Sequence, residues 1–170
     1  MAVRALVTFP DGRLRLPAVP VENFDAALAD LVADLADTMR AAQGIGITAP
    51  HIGVLERVVV IDLPAPEGVR SYINPEIVWR SPEMSRQPEG SVSMPGVSDE
   101  VERPAKVRVR YRDLAGNERT EEADGLLALC LQHEIDQLDG IFWIYRLSRL
   151  RRDRLVKRFE KLRRGGAADG

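Results

Sequence analysis

The chain has one cysteine, two histidines and no apolar run long enough to cross a membrane in its 170 residues. A single cysteine excludes an internal disulfide, and Cys130 sits in an apolar stretch where it reads as a core residue. Only His51 and His133 are available for imidazole chemistry. The opening Met-Ala-Val-Arg-Ala-Leu-Val-Thr-Phe-Pro is too short in apolar run for a signal peptide, so no membrane partner is expected and the cytoplasm is the expected location. A net charge of −2 says little by itself, because the charge is unevenly distributed; no DNA partner is expected.

What is present is a soluble composition, 45% hydrophobic and 29% charged, in a chain long enough for one real core. The charge is unevenly spread. Arg146 to Arg164 holds ten Lys or Arg against only Asp153 and Glu160, so the remainder is acidic. This basic stretch carries Leu147, Leu150, Leu155, Phe159 and Leu162, an apolar stripe that can dock a helix on the domain.

Gly125 to Gly140 reads as one helix, with glycines to open and close it. Leu126, Leu127, Leu129, Cys130, Leu131, Ile135 and Leu138 cover more than one face, so the helix is buried on most sides. Inside it sit Gln132, His133, Glu134, Asp136 and Gln137, and buried polar groups are costly unless paired or used in chemistry. Positions 133 and 137 share a face. The pattern is one residue short of His-Glu-x-x-His, in which two imidazoles bind a metal and the Glu is the base; the second His is Gln137 here. Asp136 is expected to pair with an arginine.

Earlier in the chain, residues 3–8 are expected to form a short strand, ended by a turn at Phe9-Pro10-Asp11-Gly12, and Arg13 to Val21 to run extended. Asn23 is the expected N-cap of a covering helix with Phe24, Leu28, Leu31, Val32, Leu35 and Met39 inward, running to about Gln43 and stopping at Gly44. Gly44 to Gly53 reads as irregular backbone, Arg57 to Asp62 as a buried strand and Leu63 to Val69 as a loop. Tyr72 to Trp79 reads as a strand pair broken at Asn74-Pro75, and Pro88 to Gly96 as a second glycine-containing loop. Lys106 to Arg112 and Glu118 to Ala123 form a hairpin about Ala115-Gly116-Asn117. Strands grouped apart from helices predict an α+β fold with antiparallel sheets around the central helix. One domain is expected over 1–164, its basic C-terminal helix at 148–164, with a frayed tail at 165–170.

Three ordered segments resemble the peptide deformylases. The central helix resembles Gln-His-Glu-x-Asp-His-Leu-x-Gly at 132–140. Glu89-Gly90-Ser91-Val92-Ser93 is similar to Glu-Gly-Cys-Leu-Ser. Residues 44–51 are similar to Gly-φ-Gly-φ-Ala-Ala-x-Gln (φ apolar), with Thr48 for the first Ala and His51 for the Gln. The resemblance covers nearly the whole chain. It implies the removal of a formyl group from N-terminal Met of nascent peptides by a metal held by the Cys and both His, with the Glu as base and the Gln donating to the scissile formyl oxygen.

Carried over residue by residue, the metal-ligand positions are Ser91, His133 and Gln137, Glu134 is a retained or vestigial base, and His51 stands at the oxyanion-donor position. An alcohol and a carboxamide are poor donors to zinc or iron beside thiolate and imidazole. No resident metal is therefore expected, or at most a weakly bound divalent Fe, Zn or Ni, and the deformylase reaction is expected to be lost. Two alternatives remain open: a different metal site from His51, His133 and Glu134 or Glu89, or a nucleophile–base pair of Ser91 with a histidine. The resemblance further implies a pocket for a methionine-sized side chain lined by Ile45, Gly46, Val92, Leu126, Leu129, Cys130 and Glu134, with Arg103 near the peptide. It implies N-terminal peptides as partners, and the ribosome as a partner of the basic helix.

Overall fold

A computed structural model describes residues 2–64 and 68–168. Its helices are α1 (Ala26–Ala41), α2 (Gly125–Leu138) and α3 (Arg149–Ala168). Its strands are β1 (Gly46–Thr48), β2 (Val58–Leu63), β3 (Gly68–Arg80), β4 (Met84–Ser91), β5 (Met94–Pro104), β6 (Lys106–Arg112) and β7 (Glu118–Asp124). Short 3-10 helices span Gly12–Arg15, Ala49–Ile52 and Trp143–Arg146. The strands form a five-stranded antiparallel sheet, ordered β1-β2-β3-β6-β7, and a separate two-stranded β4-β5 ribbon. The expected α+β class holds.

The run Val58-Val59-Val60-Ile61 has no polar alternation because both faces of β2 are covered. Val59 and Ile61 pack with Tyr72, Val107 and Val109 against Leu131, Ile135 and Leu138 of α2. Val58 and Val60 pack with Ile47 and Ile73 against Leu28, Leu35 and Met39 of α1. A third cluster joins Met94, Val97 and Val101 of β5 to Phe142, Trp143 and Ile144 and to Leu155 and Phe159 of α3. Thus α2 lies on one face of the sheet, α1 covers the other, and α3 braces the ribbon.

Several local expectations are corrected. Residues 3–8 form no strand; the segment is held by the Val7 amide on the His51 carbonyl (2.7 Å) and the Arg4 amide on the Thr38 hydroxyl (2.8 Å). The stretch expected to be extended from Arg13 begins instead in a 3-10 helix, because the Asp11 carboxylate caps the Arg13 amide. Asp25, not Asn23, caps α1, accepting from the Leu28 amide at 3.1 Å, where its charge also suits the positive helix end. The helix stops at Ala41, two residues early, as Gln43 turns left-handed (φ 57°) and the Gly44 amide caps Met39.

β3 is one strand of 13 residues. Asn74 does not break it but bulges it: with φ 50°, its side chain exchanges two hydrogen bonds with the Val21 backbone, and the register against β6 shifts after Ile73. The expected loop at 88–96 is the tip of the β4-β5 hairpin. Of the expected loop at 63–69, Leu63 belongs to β2, β3 begins at Gly68, and 65–67 lie outside the described residues. α3 continues through the expected frayed start at Gly165 to Ala168, and 169–170 lie outside the described residues.

Candidate active site

α2 presents Leu126, Leu129, Cys130, His133 and Glu134 to a single cleft of about 670 Å³. Their spacing is i, i+3, i+4, i+7, i+8, one face of the helix. Gln43 to Gly46 form the opposite wall, and the hairpin tip from Pro88 to Val92 closes one side. Ile45, Gly46, Val92, Leu126, Leu129, Cys130 and Glu134, the residues expected to line the pocket, all do so. Gly46 brings the backbone close to α2: a Cβ there would stand 3.1 Å from the Glu134 carboxylate, which would have to give way. Gly140, at φ 78°, ends the helix where a Cβ would sit 2.6 Å from the Arg15 carbonyl, so the N-terminal segment crosses against its bare backbone.

His133 Nδ1 is hydrogen-bonded to Glu89 Oε1 at 2.8 Å. Glu89 accepts two bonds from Arg103 (2.5 and 2.9 Å), Arg103 reaches Asp136 at 2.8 Å, and Asp136 takes two more from Arg146 (2.9 and 2.7 Å). Charges alternate along this ladder from the cleft to the surface. The arginine partner expected for Asp136 is therefore a pair of arginines. Arg103 is not on the cleft wall where the peptide was expected; it is buried behind Glu89, which it holds. Burial opposes ionisation of Glu89, but the bonds from His133 and Arg103 outweigh it and bring its pKa down to about 2. Burial likewise disfavours the charged form of His133, yet the Glu134 and Glu89 carboxylates leave it raised.

His51 lines the cleft at 1% exposure. Its Nδ1 accepts from the Thr48 amide at 2.9 Å and lies 3.0 Å from the Thr48 hydroxyl. An amide can only donate, so Nδ1 is the acceptor and the neutral ring carries its proton on Nε2. Burial, with the charge of His133 nearby, pushes the His51 pKa to about 3. Thr48 was not singled out from the sequence, although Thr-Ala-Pro-His places the two side chains three apart at a 3-10 start. Glu134 is 4% exposed, and burial pushes it up to about 7 against the pull of His133. Its Oε1 stands 3.7 Å from His133 Nε2 and its Oε2 3.8 Å from His51 Nδ1.

The three ligand positions do not converge as donors. The Ser91 hydroxyl accepts from the Ser93 amide at 3.1 Å. Gln137 is absent from the cleft lining; its Nε2 donates to the Leu14 carbonyl at 2.7 Å. Among the described residues, no three His, Cys, Asp or Glu side chains are grouped to hold an ion, and Ser91 makes no hydrogen bond to either histidine. A protonated alcohol and a carboxamide committed elsewhere do not fit a transition metal.

The α+β chain carries adjacent His and Glu on a buried helix into a strand-walled cleft. The polypeptide deformylase profile matches residues 3–153, and the chain belongs to that family. It is 66% identical to a peptide deformylase-like protein of Brucella melitensis, over 96% of this chain and 100% of that one. It is 47% identical to a peptide deformylase of Methylocella silvestris, over 95% of this chain and 85% of that one. The crystal structure of peptide deformylase from Ehrlichia chaffeensis superposes with a TM-score of 0.92 at 38% identity, covering 98% and 99% of the two chains.

Proposed function

We propose that this protein keeps the peptide cleft of the deformylases but does not perform their metal-dependent removal of the formyl group, and that it binds peptide N-termini. The observation that carries this is the commitment of Gln137 to the Leu14 carbonyl, with an alcohol at Ser91. A metal lowers the pKa of its bound water from about 15.7 to about 7. Without a donor set to hold one, Glu134 has no activated water to deprotonate. The apolar wall from Leu126 to Cys130 and Val92 suits a side chain of methionine size.

The test is metal content and formate release on purified protein prepared with iron, zinc or nickel. Binding of a formyl-Met peptide without formate release is expected. Stoichiometric metal with turnover overturns the reading. The double variant Ser91→Cys with Gln137→His is expected to gain metal.

A second partner is proposed for α3. Arg151 pairs with Asp99, and Arg158 donates to the Ser98 carbonyl, which docks the helix on β5 and leaves Arg154, Lys157 and Lys161 exposed. A basic face of this kind suits the phosphate backbone of the ribosome at the site of peptide synthesis in the cytoplasm. Salt-sensitive co-sedimentation with ribosomes, lost on reversing the charge of Lys157 and Lys161, is the expected result. Equal co-sedimentation of that variant overturns it.

A further inference from the structure

Arg15, Tyr145 and Arg152 meet at the surface from three separate elements, the 3-10 helix Gly12–Arg15, the 3-10 helix Trp143–Arg146 and α3. The guanidinium carbon of Arg15 stands 4.8 Å from the centre of the Tyr145 ring, and that of Arg152 stands 5.1 Å from it. Two like charges on one ring lie within about a Debye length, ~10 Å at 0.1 M salt, so dissolved ions do not fully screen their repulsion. The aromatic face attracts each cation and offsets part of that cost.

Stacking on a ring leaves the N–H fork of an arginine open, and two other stacked arginines of this protein use theirs. Arg108 stacks on Trp79 and pairs with Glu122 at 2.7 Å. Arg163 stacks on Phe159 and donates to the Phe9 carbonyl at 2.9 Å. Among the described residues, the side chains of Arg15 and Arg152 make neither a hydrogen bond nor an ion pair. Asp136 is already engaged by Arg103 and Arg146. Asp153 follows Arg152 in α3, but adjacent helical positions do not face each other.

We propose that Arg15, Tyr145 and Arg152 form a binding surface for a phosphate-bearing ligand, with the two guanidiniums donating to its phosphate oxygens. Two positive charges match a phosphate dianion, and a planar fork presents paired N–H groups to its oxygens. The ring between them is 38% exposed, so a ligand can reach both forks from solvent. The backbone beneath is anchored: Leu14 and Ile144, the neighbours of Arg15 and Tyr145, are buried, as is Leu155 one turn after Arg152. Stacked side chains have already lost rotamer freedom, so less remains to be lost on binding.

This surface is not the cleft, whose lining includes none of the three residues. Nor is it the face of α3 offered to the ribosome. At about 100° per residue, Arg152 points well over a quarter turn away from Arg154, Lys157 and Lys161.

Isothermal titration of the full chain with inorganic pyrophosphate, at low salt and neutral pH, tests this. Saturable binding is expected, at least about tenfold weaker in the double variant Arg15→Gln with Arg152→Gln. Arg15 is exposed and Arg152 half-buried, so that variant keeps the fold. Tyr145→Phe preserves the aromatic face and is expected to bind like the parent, whereas Tyr145→Leu is expected to bind more weakly. Charge reversal at Lys157 and Lys161 is expected to leave pyrophosphate binding unchanged, whatever it does to ribosome binding. A short oligouridylate distinguishes the source of the phosphate. Binding tighter than that of pyrophosphate assigns a nucleic-acid backbone, and its log–log salt slope should then fall by about 0.7 for each arginine removed. Weaker binding assigns a small phosphorylated compound. Failure of both phosphate ligands to bind overturns the inference. So does binding undiminished in the double variant, binding lost on reversing Lys157 and Lys161, or equal binding of the dicarboxylate malonate.

Discussion

The Gln137 carboxamide donates to the carbonyl of Leu14, 123 residues earlier in the chain, at 2.7 Å. It stands at the position where the family resemblance places a metal-binding imidazole, and it ties α2 to the N-terminal segment. Gln137→Ala strands a buried carbonyl, which costs about 1–3 kcal/mol. A urea denaturation midpoint lowered to match is the expected outcome; an unchanged midpoint means that the bond adds nothing.

Arg103 compensates two buried carboxylates, Glu89 and Asp136. Arg103→Met leaves both short of charge, and breaking a buried ion pair from one side costs about 3–5 kcal/mol. Lysine is a poor rescue, because one ammonium cannot supply the fork that reaches both acids. Thermal unfolding of the two variants measures this, and near-complete recovery by lysine would contradict the geometry.

Acid sensitivity follows from Glu89. Its folded pKa of about 2 lies below its ordinary value of 4.5, so the folded state holds the ionised form more tightly. The resulting stability is fully present above about pH 4.5 and is lost as pH falls toward 2. Glu89→Gln is therefore expected to flatten the unfolding free energy between those limits. A variant as acid-sensitive as the parent would place the titrating group elsewhere.

Cys130 forms part of the cleft wall, yet burial, followed by the Glu134 and Glu89 charges, pushes its thiol up to about 12. The thiolate is the reactive form. Iodoacetamide at pH 8 should label the folded protein at least about a hundredfold more slowly than the protein in guanidinium. Mass spectrometry on quenched aliquots reads the rate, and comparable rates would show an open, ionised thiol.

How far the sequence reached depended on range. The cleft face of α2 was legible because helical periodicity and the His-Glu motif lie within ten residues of each other. The covering helix and the β6-β7 hairpin were legible for the same local reason. Asn74-Pro75 reads as a break, and only the Val21 backbone, 53 residues away, turns it into a bulge. The glycines and prolines at 88–96 read as a loop because ribbon pairing with β5 leaves no apolar alternation along β4. Arg103 was placed near the peptide, but its burial depends on Glu89 and Asp136 meeting it from two other elements. The partner of Gln137 had no local signal at all.

Gly140 answers two separate demands, a left-handed turn and a seat for the strap that passes over it. Alanine could satisfy neither, and asparagine, which tolerates the turn, would still strike the strap. A saturation library at this codon, sorted for folded protein, should therefore return a single amino acid. The end of α2 and the start of the chain are thus fastened at one bare backbone, and a side chain added there would push the two apart.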